Sequence, residues 1–405
     1  MEYTYPKFFY DFQCEASACS DTCCAGWGIA IDPVSLKKYR NYPGIFGSRL
    51  KNSIDWETGS FRQYEGRCAF LSEENLCDIY TEAGEKMLCK TCTRYPRHYE
   101  EYENLREISL SLSCPAAARL ILGSDEKMTF LSECRETPEE EYEQFDFFLF
   151  TKLQEIRDYL YQVIQDRERP VELRMAMILA AGHDLQSRIT RQKLYMIDNL
   201  LKWYGEPSFE KLAGKKFRLY DGRGIERRVQ LRRMWRRLYR LEALRPEWTV
   251  FLKRQEQRLY QELSQEAYEE VCREFAVYHK EKEYEYEQLL MYFIFSYVCG
   301  AVYDGDVFSK IKLAVVNTML IRELNMAVWL EKDRQFTLED QIENAYRYAR
   351  EVEHSDQNME AMECMLAEEE LFELANLLTG ILGINTWKEK TEREEDRLCV
   401  SELES

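Results

Sequence analysis

The stretch Phe147-Phe148-Leu149-Phe150-Thr151-Lys152-Leu153-Gln154-Glu155-Ile156-Arg157-Asp158-Tyr159-Leu160-Tyr161-Gln162-Val163-Ile164 carries the reading that decides the fold. Phe147, Phe148, Phe150 and Leu153 open an apolar face, and Ile156, Leu160 and Ile164 continue it in steps of three or four. That recurrence matches the helical period and not the alternation of a strand. Working outward, the chain from about 135 to 380 stays rich in Leu, Glu, Arg, Tyr and Gln at helical spacing. Thr137-Pro138-Glu139-Glu140 reads as a helix start, with a Thr cap, Pro at the first helical position and Glu three residues on. Pro170, Gly205-Glu206-Pro207, Asp221-Gly222-Arg223-Gly224 and Gly300 to Gly305 mark interruptions. An all-α bundle over 126–385 follows, with a charged tail over 386–405.

Upstream the character changes. Residues 1–125 read as an irregular, Cys-rich lobe with a few short strands. Asp32-Pro33 predicts a capped helix over Val34–Tyr39. Glu107-Ile108-Ser109-Leu110-Ser111-Leu112-Ser113 alternates and predicts a half-buried strand, broken by Cys114-Pro115 before a short helix at 116–120. The fold class is mainly α: this lobe followed by the helical bundle.

The chain has 405 residues, with 55 Lys+Arg against 73 Asp+Glu and a net charge of −18. Hydrophobic residues make up 45 %, enough for a core, so wholesale disorder is excluded. The acidic balance argues against nucleic-acid or anionic-membrane binding. No basic and apolar leader opens the sequence. The apolar run Leu289 to Tyr303 falls short of the roughly 20 residues a membrane span needs, and reads as a buried helix. The expectation is a cytoplasmic protein whose thiols stay reduced.

Fourteen cysteines are the most informative feature, and ten of them fall in the first 134 residues. Nine of these are candidate metal ligands: Cys14, Cys19, Cys23, Cys24, Cys68, Cys77, Cys89, Cys92 and Cys114. Thiolates at short spacing suit zinc or an iron–sulfur cluster, because soft sulfur selects soft or borderline metals. Spacing alone leaves these two metals open. Only Cys89-x2-Cys92 forms a clean zinc knuckle, and adjacent Cys23-Cys24 is expected to project in two directions. Nine thiols exceed the four that one centre uses, so either some are spare or there are two sites. Cys19-x3-Cys23 begins a radical-SAM triplet, but Gly26 stands where its third Cys belongs.

Taken in order, Cys14…Cys19…Asp21-Thr22-Cys23-Cys24-x-Gly26-Trp27, Cys68-x-Phe70-Leu71 with Leu76-Cys77-x-Ile79-Tyr80, Cys92-x2-Tyr95-Pro96-Arg97 and Ser113-Cys114-Pro115 resemble the flagellin lysine-N-methylase family. The N-terminal part of that family looks like the CxxCxxCC-type zinc- or iron-chelating domain. The likeness covers roughly residues 8–122. It implies S-adenosylmethionine-dependent N-methylation of flagellin lysines, with flagellin as partner, and a [4Fe–4S] cluster held among the nine cysteines. The rival expectation is a non-catalytic, zinc-stapled helical scaffold. Its support is the lack of a Gly-rich nucleotide turn, since Asp221-Gly222-Arg223-Gly224 reads as a surface turn.

Several side chains have a plain reading beside the functional one. His98 reads as part of a helix exit set by Pro96, and Trp27 as a shield over a metal centre. Arg227, Arg228, Arg232, Arg233, Arg236, Arg237 and Arg240 form a basic face opposite Leu231, Met234, Trp235 and Leu238, and are expected to pair with acidic helices. Cys272, Cys299 and Cys364 read as buried hydrophobes, and Glu139–Glu141 and Glu368–Glu370 as solvated faces.

Overall fold

The fold is that of a computed structural model, which describes residues 1–137, 142 and 145–384. The helix start at Pro138–Glu140, the Glu139–Glu141 run and the tail from 386 lie outside the described residues.

Strands β1 (Glu2–Pro6), β2 (Ile54–Asp55), β3 (Ser60–Phe61), β4 (Gln63–Tyr64), β5 (Arg67–Cys68), β6 (Arg97–Tyr102), β7 (Leu105–Leu110) and β8 (Phe130–Cys134) all belong to the first third of the chain. Four of them make one sheet in the order β6-β7-β1-β8. In it β1 runs parallel to β7, with Thr4 opposite Glu107, and antiparallel to β8. The short strands form two hairpins, β2-β3 and β4-β5.

The helices of the same region are α1 (Pro33–Asn41), α2 (Gly44–Asn52), α3 (Asp78–Ala83), α4 (Lys90–Arg94) and α5 (Pro115–Leu122). Asp32 caps α1, its carboxylate accepting the Ser35 amide at 3.0 Å, as the Asp-Pro pair predicts.

The bundle begins with α6 (Phe147–Ile164), capped by Asp146, whose carboxylate accepts the Leu149 amide at 2.8 Å. The start therefore falls at Asp146 rather than at Thr137. Phe150, Leu153, Ile156, Leu160 and Ile164 are buried as their spacing requires, whereas Phe147 and Phe148, in the first turn at the rim, are more than half exposed.

Next come α7 (Val171–Thr190), α8 (Ile197–Tyr204), α9 (Pro207–Phe217), α10 (Gly224–Arg237), α11 (Pro246–Tyr260), α12 (Gln265–Tyr278), α13 (Tyr284–Tyr297), α14 (Ala301–Asp304), α15 (Val307–Glu331), α16 (Leu338–Glu353), α17 (Asp356–Glu368) and α18 (Leu374–Leu382). Pro170, Pro207 and Gly224 all stand at helix starts, and Gly305 closes α14 in a left-handed conformation.

Helix α15 runs through the centre, against α7, α13, α16 and α17. It is the one described helix long and apolar enough to cross a membrane, and 89 % of that stretch is buried inside the protein. Its polar side chains meet internal partners. Glu323 receives Arg227 at 2.8 Å and the Tyr260 hydroxyl at 2.7 Å, and Asn325 bonds to Tyr286 and Asn344.

Strand β7 is buried along its whole length, not on one face as its alternation predicts. Its polar positions are answered from inside: Glu107 pairs with Arg157 of α6 at 2.5 Å, and the Ser296 hydroxyl of α13 donates to Ser109. Tyr102, Leu105, Leu112 and Ile121 join the core of the bundle. A second, smaller core forms around Ile29, Tyr39, Leu50, Phe61, Phe70, Cys68 and Cys89, and a third around Tyr5, Phe9, Ile108 and Cys114.

The basic face of α10 pairs with acidic neighbours as expected. Arg232 and Arg236 reach Glu256, and Arg237 and Arg240 reach Glu369. Glu369 is thereby engaged rather than solvated. Arg227 departs from that face and is buried. Cys272 and Cys299 are buried, but Cys364 is exposed, because α17 turns Asn358, Met362, Met365 and Leu366 inward and leaves Cys364 on the other side.

Candidate functional site: a thiol-lined cavity beneath helix α16

The loop from Phe12 to Trp27, the segment from Leu71 to α3, the segment from Glu85 through α4 to Arg97 and the start of α5 enclose a cavity of about 530 Å³. Seven of the nine candidate cysteines line it: Cys14, Cys19, Cys23, Cys24, Cys77, Cys92 and Cys114. Cys68 and Cys89 lie behind its wall in the small apolar core. All nine are free thiols, and Cys134 lies away on β8, exposed. Among the described residues, no three His, Cys, Asp or Glu side chains gather around a point as a single ion requires. The donors are spread around a cavity wall instead.

Local structure explains why distant cysteines meet. Cys77, Cys89 and Cys114 each occupy the position just before a helix, α3, α4 and α5 respectively. Burial raises Cys77 and Cys114, while amides of the following turn pull the other way: Tyr80 and Ile79 at Cys77, Ala117 and Ala116 at Cys114. The Asp32 carboxylate, besides capping α1, accepts the Lys90 amide at 2.8 Å and so fixes the entry of α4. The Cys68 amide donates to Cys24 O at 2.8 Å, and Trp27 Nε1 donates to Cys23 O at 2.7 Å.

Those two bonds hold residues 23 and 24 in a turn, and the turn brings adjacent thiols together. Both thiols line the cavity and interact with each other by hydrogen bonding. The bond to Cys24 is the main cause that raises Cys23, and the same bond is the main cause that lowers Cys24 to about 7, with Arg67 assisting. Cys92 and Cys89 repeat the arrangement, Cys92 donating and Cys89 held at about 7. Burial lifts Cys68 to about 12 and Cys114 to about 11. The cavity thus concentrates soft donors, with Cys24 on its wall and Cys89 behind it poised near neutrality.

The bundle contributes the far wall. Arg350 of α16 donates from Nε to Ser113 O at 2.8 Å and from Nη2 to Asp21 O at 2.6 Å, and its Nη1 pairs with the Asp21 carboxylate at 2.6 Å. Arg245, just before α11, reaches the same carboxylate at 2.8 Å and Ala25 O at 3.1 Å. Its guanidinium lies over Gly26, where a Cβ would stand 2.4 Å from Nε and where φ is +86°. The left-handed φ favours glycine at 26, and a side chain there would displace the Arg245 guanidinium.

His354 shares a 2.6 Å hydrogen bond with the Ser113 hydroxyl and packs on Trp27 and Tyr95, ring centroids 4.9 and 5.5 Å away. Burial first, then the charges of Arg350 and Arg245, push His354 down to about 3, so the ring is neutral. Trp27 lines the cavity, and His98, on β6 rather than at a helix exit, pairs with Glu100 at 2.7 Å outside it. Asp21 belongs to the cysteine motif, but Arg245, Arg350 and His354 carry no local signature; they lie more than 200 positions beyond Asp21, in a loop and at the end of α16.

Comparison with known proteins bears on the helical part of this assembly. Residues 157–380, more than half of the chain, match the family described as FliB lysine N-methylase C-terminal domain. Flagellar biosynthetic protein FliU of Salmonella muenchen is 35 % identical over 134 residues, 31 % of this chain and 79 % of that protein. Lysine-N-methylases of Salmonella choleraesuis and Salmonella typhimurium are 34 % and 35 % identical over 139 residues, 32 % of this chain. Those matches span about a third (34 %) of each methylase's length. No solved structure matches the chain. Arg350, which lines the thiol cavity, and Arg245 and His354 beside it all lie within the matched helical region, and the chain belongs to the FliB lysine N-methylase family.

Proposed function

We propose that this protein transfers methyl groups from S-adenosylmethionine to lysine ε-amino groups of flagellin, and that its N-terminal thiols hold an iron–sulfur cluster. The observation that carries the reading is the meeting of seven cysteines with Arg350 of the family-matched bundle around one cavity. The donor chemistry fits a thiophilic metal, since the wall offers sulfur and no histidine. Cys14, Cys19, Cys23, Cys24, Cys77, Cys92 and Cys114, with Cys89 behind the wall, would hold it. When bound, the cluster ties the four surrounding segments together and supplies a redox-active metal face.

The chain's own residues meet the other demands of methyl transfer. A sulfonium donor and a lysine side chain are both cations in water. Phe12, Trp27, Tyr80 and Tyr95 bring aromatic faces to the cavity, and Glu15 and Glu85 bring carboxylates. The amine attacks only after losing its proton, ordinarily held with a pKa of about 10.4. Burial among apolar rings, with Arg350 nearby, favours the neutral amine. Neutral His354, locked by Ser113 and stacked on Trp27 and Tyr95, holds those rings in place.

The test is direct. Anaerobically reconstituted protein is incubated with S-adenosylmethionine and flagellin, and the flagellin is weighed by mass spectrometry. Mass gained in whole methyl increments on lysine-containing peptides is expected. Flagellin of unchanged mass, with the protein colourless and holding zinc, would replace this reading by the zinc-stapled scaffold.

A further inference from the structure

Helix α16 turns one face to two separate hollows. Asp340, Glu343, Arg347 and Arg350 stand three or four residues apart, so they share that face. Arg350 lines the thiol cavity, and the other three line a groove of about 670 Å³ whose remaining walls are α11 and the end of α15. Between the hollows lies a void of about 20 Å³, which shares Glu247 and Arg347 with the groove and Asp21 and Arg350 with the cavity. That neck has room for about one water, so no side chain threads it and the groove is a place to dock beside the cavity. Asp340 and Arg350 lie ten residues apart, about 15 Å of helix, which an extended segment of about five residues matches.

The charges say what fits. The floor is apolar, with Val250, Phe251 and Val328, and Val250 is 69 % exposed. The basic groups are engaged within the wall: Arg254 pairs with Glu331 at 3.1 Å, Arg347 with Glu343 at 3.1 Å, and Lys332 with Asp340. Arg347 and Arg254 also lie against the Phe251 ring, 4.5 and 5.9 Å from its centroid. Those three pairs cancel and leave Glu247, which is exposed and whose carboxylate has no ion pair or hydrogen bond among the described residues. Behind it in the neck, buried Glu351 accepts the Leu244 amide at 2.8 Å and likewise has no ion pair among the described residues. Burial first pushes Glu351 up to about 7, and the charge of Glu247 adds to the rise. Arg245, which lines the same void, is committed to Asp21. The free charge at this end of the groove is negative, so a cation on an apolar backbone fits and an acidic segment does not.

We propose that this groove docks an extended, lysine-bearing stretch of the protein substrate, with a lysine ammonium on Glu247 and apolar side chains on Val250 and Val328. The docked stretch lies beside the thiol cavity, not in it, and holds the substrate while a different lysine of the same protein reacts. The inference deepens the methylase reading above and rests on it for the identity of the substrate. Glu247 and Val250 act on affinity and stay clear of the reacting atoms.

The experiment reads fluorescence anisotropy of a labelled octapeptide of alternating lysine and valine on the full chain, with flagellin methylation followed alongside. The peptide is expected to bind, less tightly as salt is raised, and the same peptide with glutamate in place of lysine is not. Glu247→Lys should weaken binding about tenfold by setting like charges together, and Val250→Arg should weaken it at least as much. Arg233→Ala, on the exposed side of α10, should leave it unchanged. With flagellin, the first two variants should raise KM and leave kcat as it was. A photoreactive form of the peptide should label α11 and α16 of the unaltered chain, a readout that needs no substitution. Absence of peptide binding, labelling confined to other helices, or full binding by Glu247→Lys would overturn the inference. Binding at the groove without flagellin methylation would sink the methylase reading and leave the docking groove standing; methylation with a KM that neither variant moves would do the reverse.

Discussion

The bundle and the thiol lobe solve the same problem, buried polar chemistry, in opposite ways. In the bundle many buried charges have an opposite charge beside them, while Lys312 is met by Leu366 O and Glu353 by the Tyr292 and Tyr297 hydroxyls. Glu287 sits between Arg174 and Arg167, both at 2.8 Å, Arg227 meets Glu323, and Arg157 meets Glu107. In the lobe the buried ionisable groups are thiols that face one another, with Arg67 and Arg350 as their main cationic neighbours. A set of like groups gathered in one cavity stabilises nothing by itself, since ionising one makes ionising the next harder. The comparison teaches that the buried charges of the bundle are answered mostly by opposite charges, whereas the clustered thiols of the lobe are answered mostly by one another.

The largest test of that contrast is Glu287→Ala. It leaves two arginines without their carboxylate, one of them fully buried, and should cost about 3–5 kcal/mol in denaturant unfolding. A cost under about 1 kcal/mol would mean that the bundle does not depend on its internal pairs.

Arg350→Ala comes next. It removes a charge-assisted anchor on Asp21 and the bond to Ser113 O, and should cost about 2–3 kcal/mol. Amides of residues 19–24 should exchange with solvent faster, while those of α7 and α15 stay protected. Uniform loss of protection would deny the two regions separate behaviour.

Asp32→Ala is smaller, about 1 kcal/mol, the worth of an N-cap, and it carries a pH signature. Against the upward pull of burial, the Lys90 and Ser35 amides hold the Asp32 carboxyl down at about 2, below its ordinary value of about 3.9. The folded state therefore binds its proton less readily than the unfolded chain. The stabilisation is complete above about pH 4 and fades as pH falls through about 2. The stability gap between wild type and variant should close over that range; a gap independent of pH would show that Asp32 acts without its charge.

Smallest of all, Arg233→Ala on the exposed side of α10 should change stability by less than about 0.5 kcal/mol. Arg227→Ala, one helical face away and buried against Glu323, should approach the Glu287 effect.

Much of this was legible from the chain alone, and the particular residues say why. The apolar steps from Phe150 to Ile164 predict a helix because helical geometry is local, and Asp32-Pro33 predicts a start because a cap needs only the next three residues. The pairing of Arg232, Arg236, Arg237 and Arg240 with acidic neighbours was readable because so acidic a chain must supply the partners. The half-buried reading of β7 failed because alternation reports polarity and not environment: Glu107 is as polar as any surface residue, yet Arg157 lets it be buried. Cys364 failed in the same way, since one face of α17 looks much like the other until a neighbour is chosen.

For the cavity, the sequence by itself determined the chemistry: nine thiols clustered early in the chain, in an order that resembles one family. Only the tertiary structure decided the geometry. It brought Cys23 and Cys24 to one side of a turn, set Cys68 behind the wall, and delivered Arg245, Arg350 and His354 from more than 200 residues away. The physical reason is range. Caps, periods and metal-loving side chains act over a few residues and leave marks that can be read in order. A wall built from two distant segments exists only once the core between them has packed.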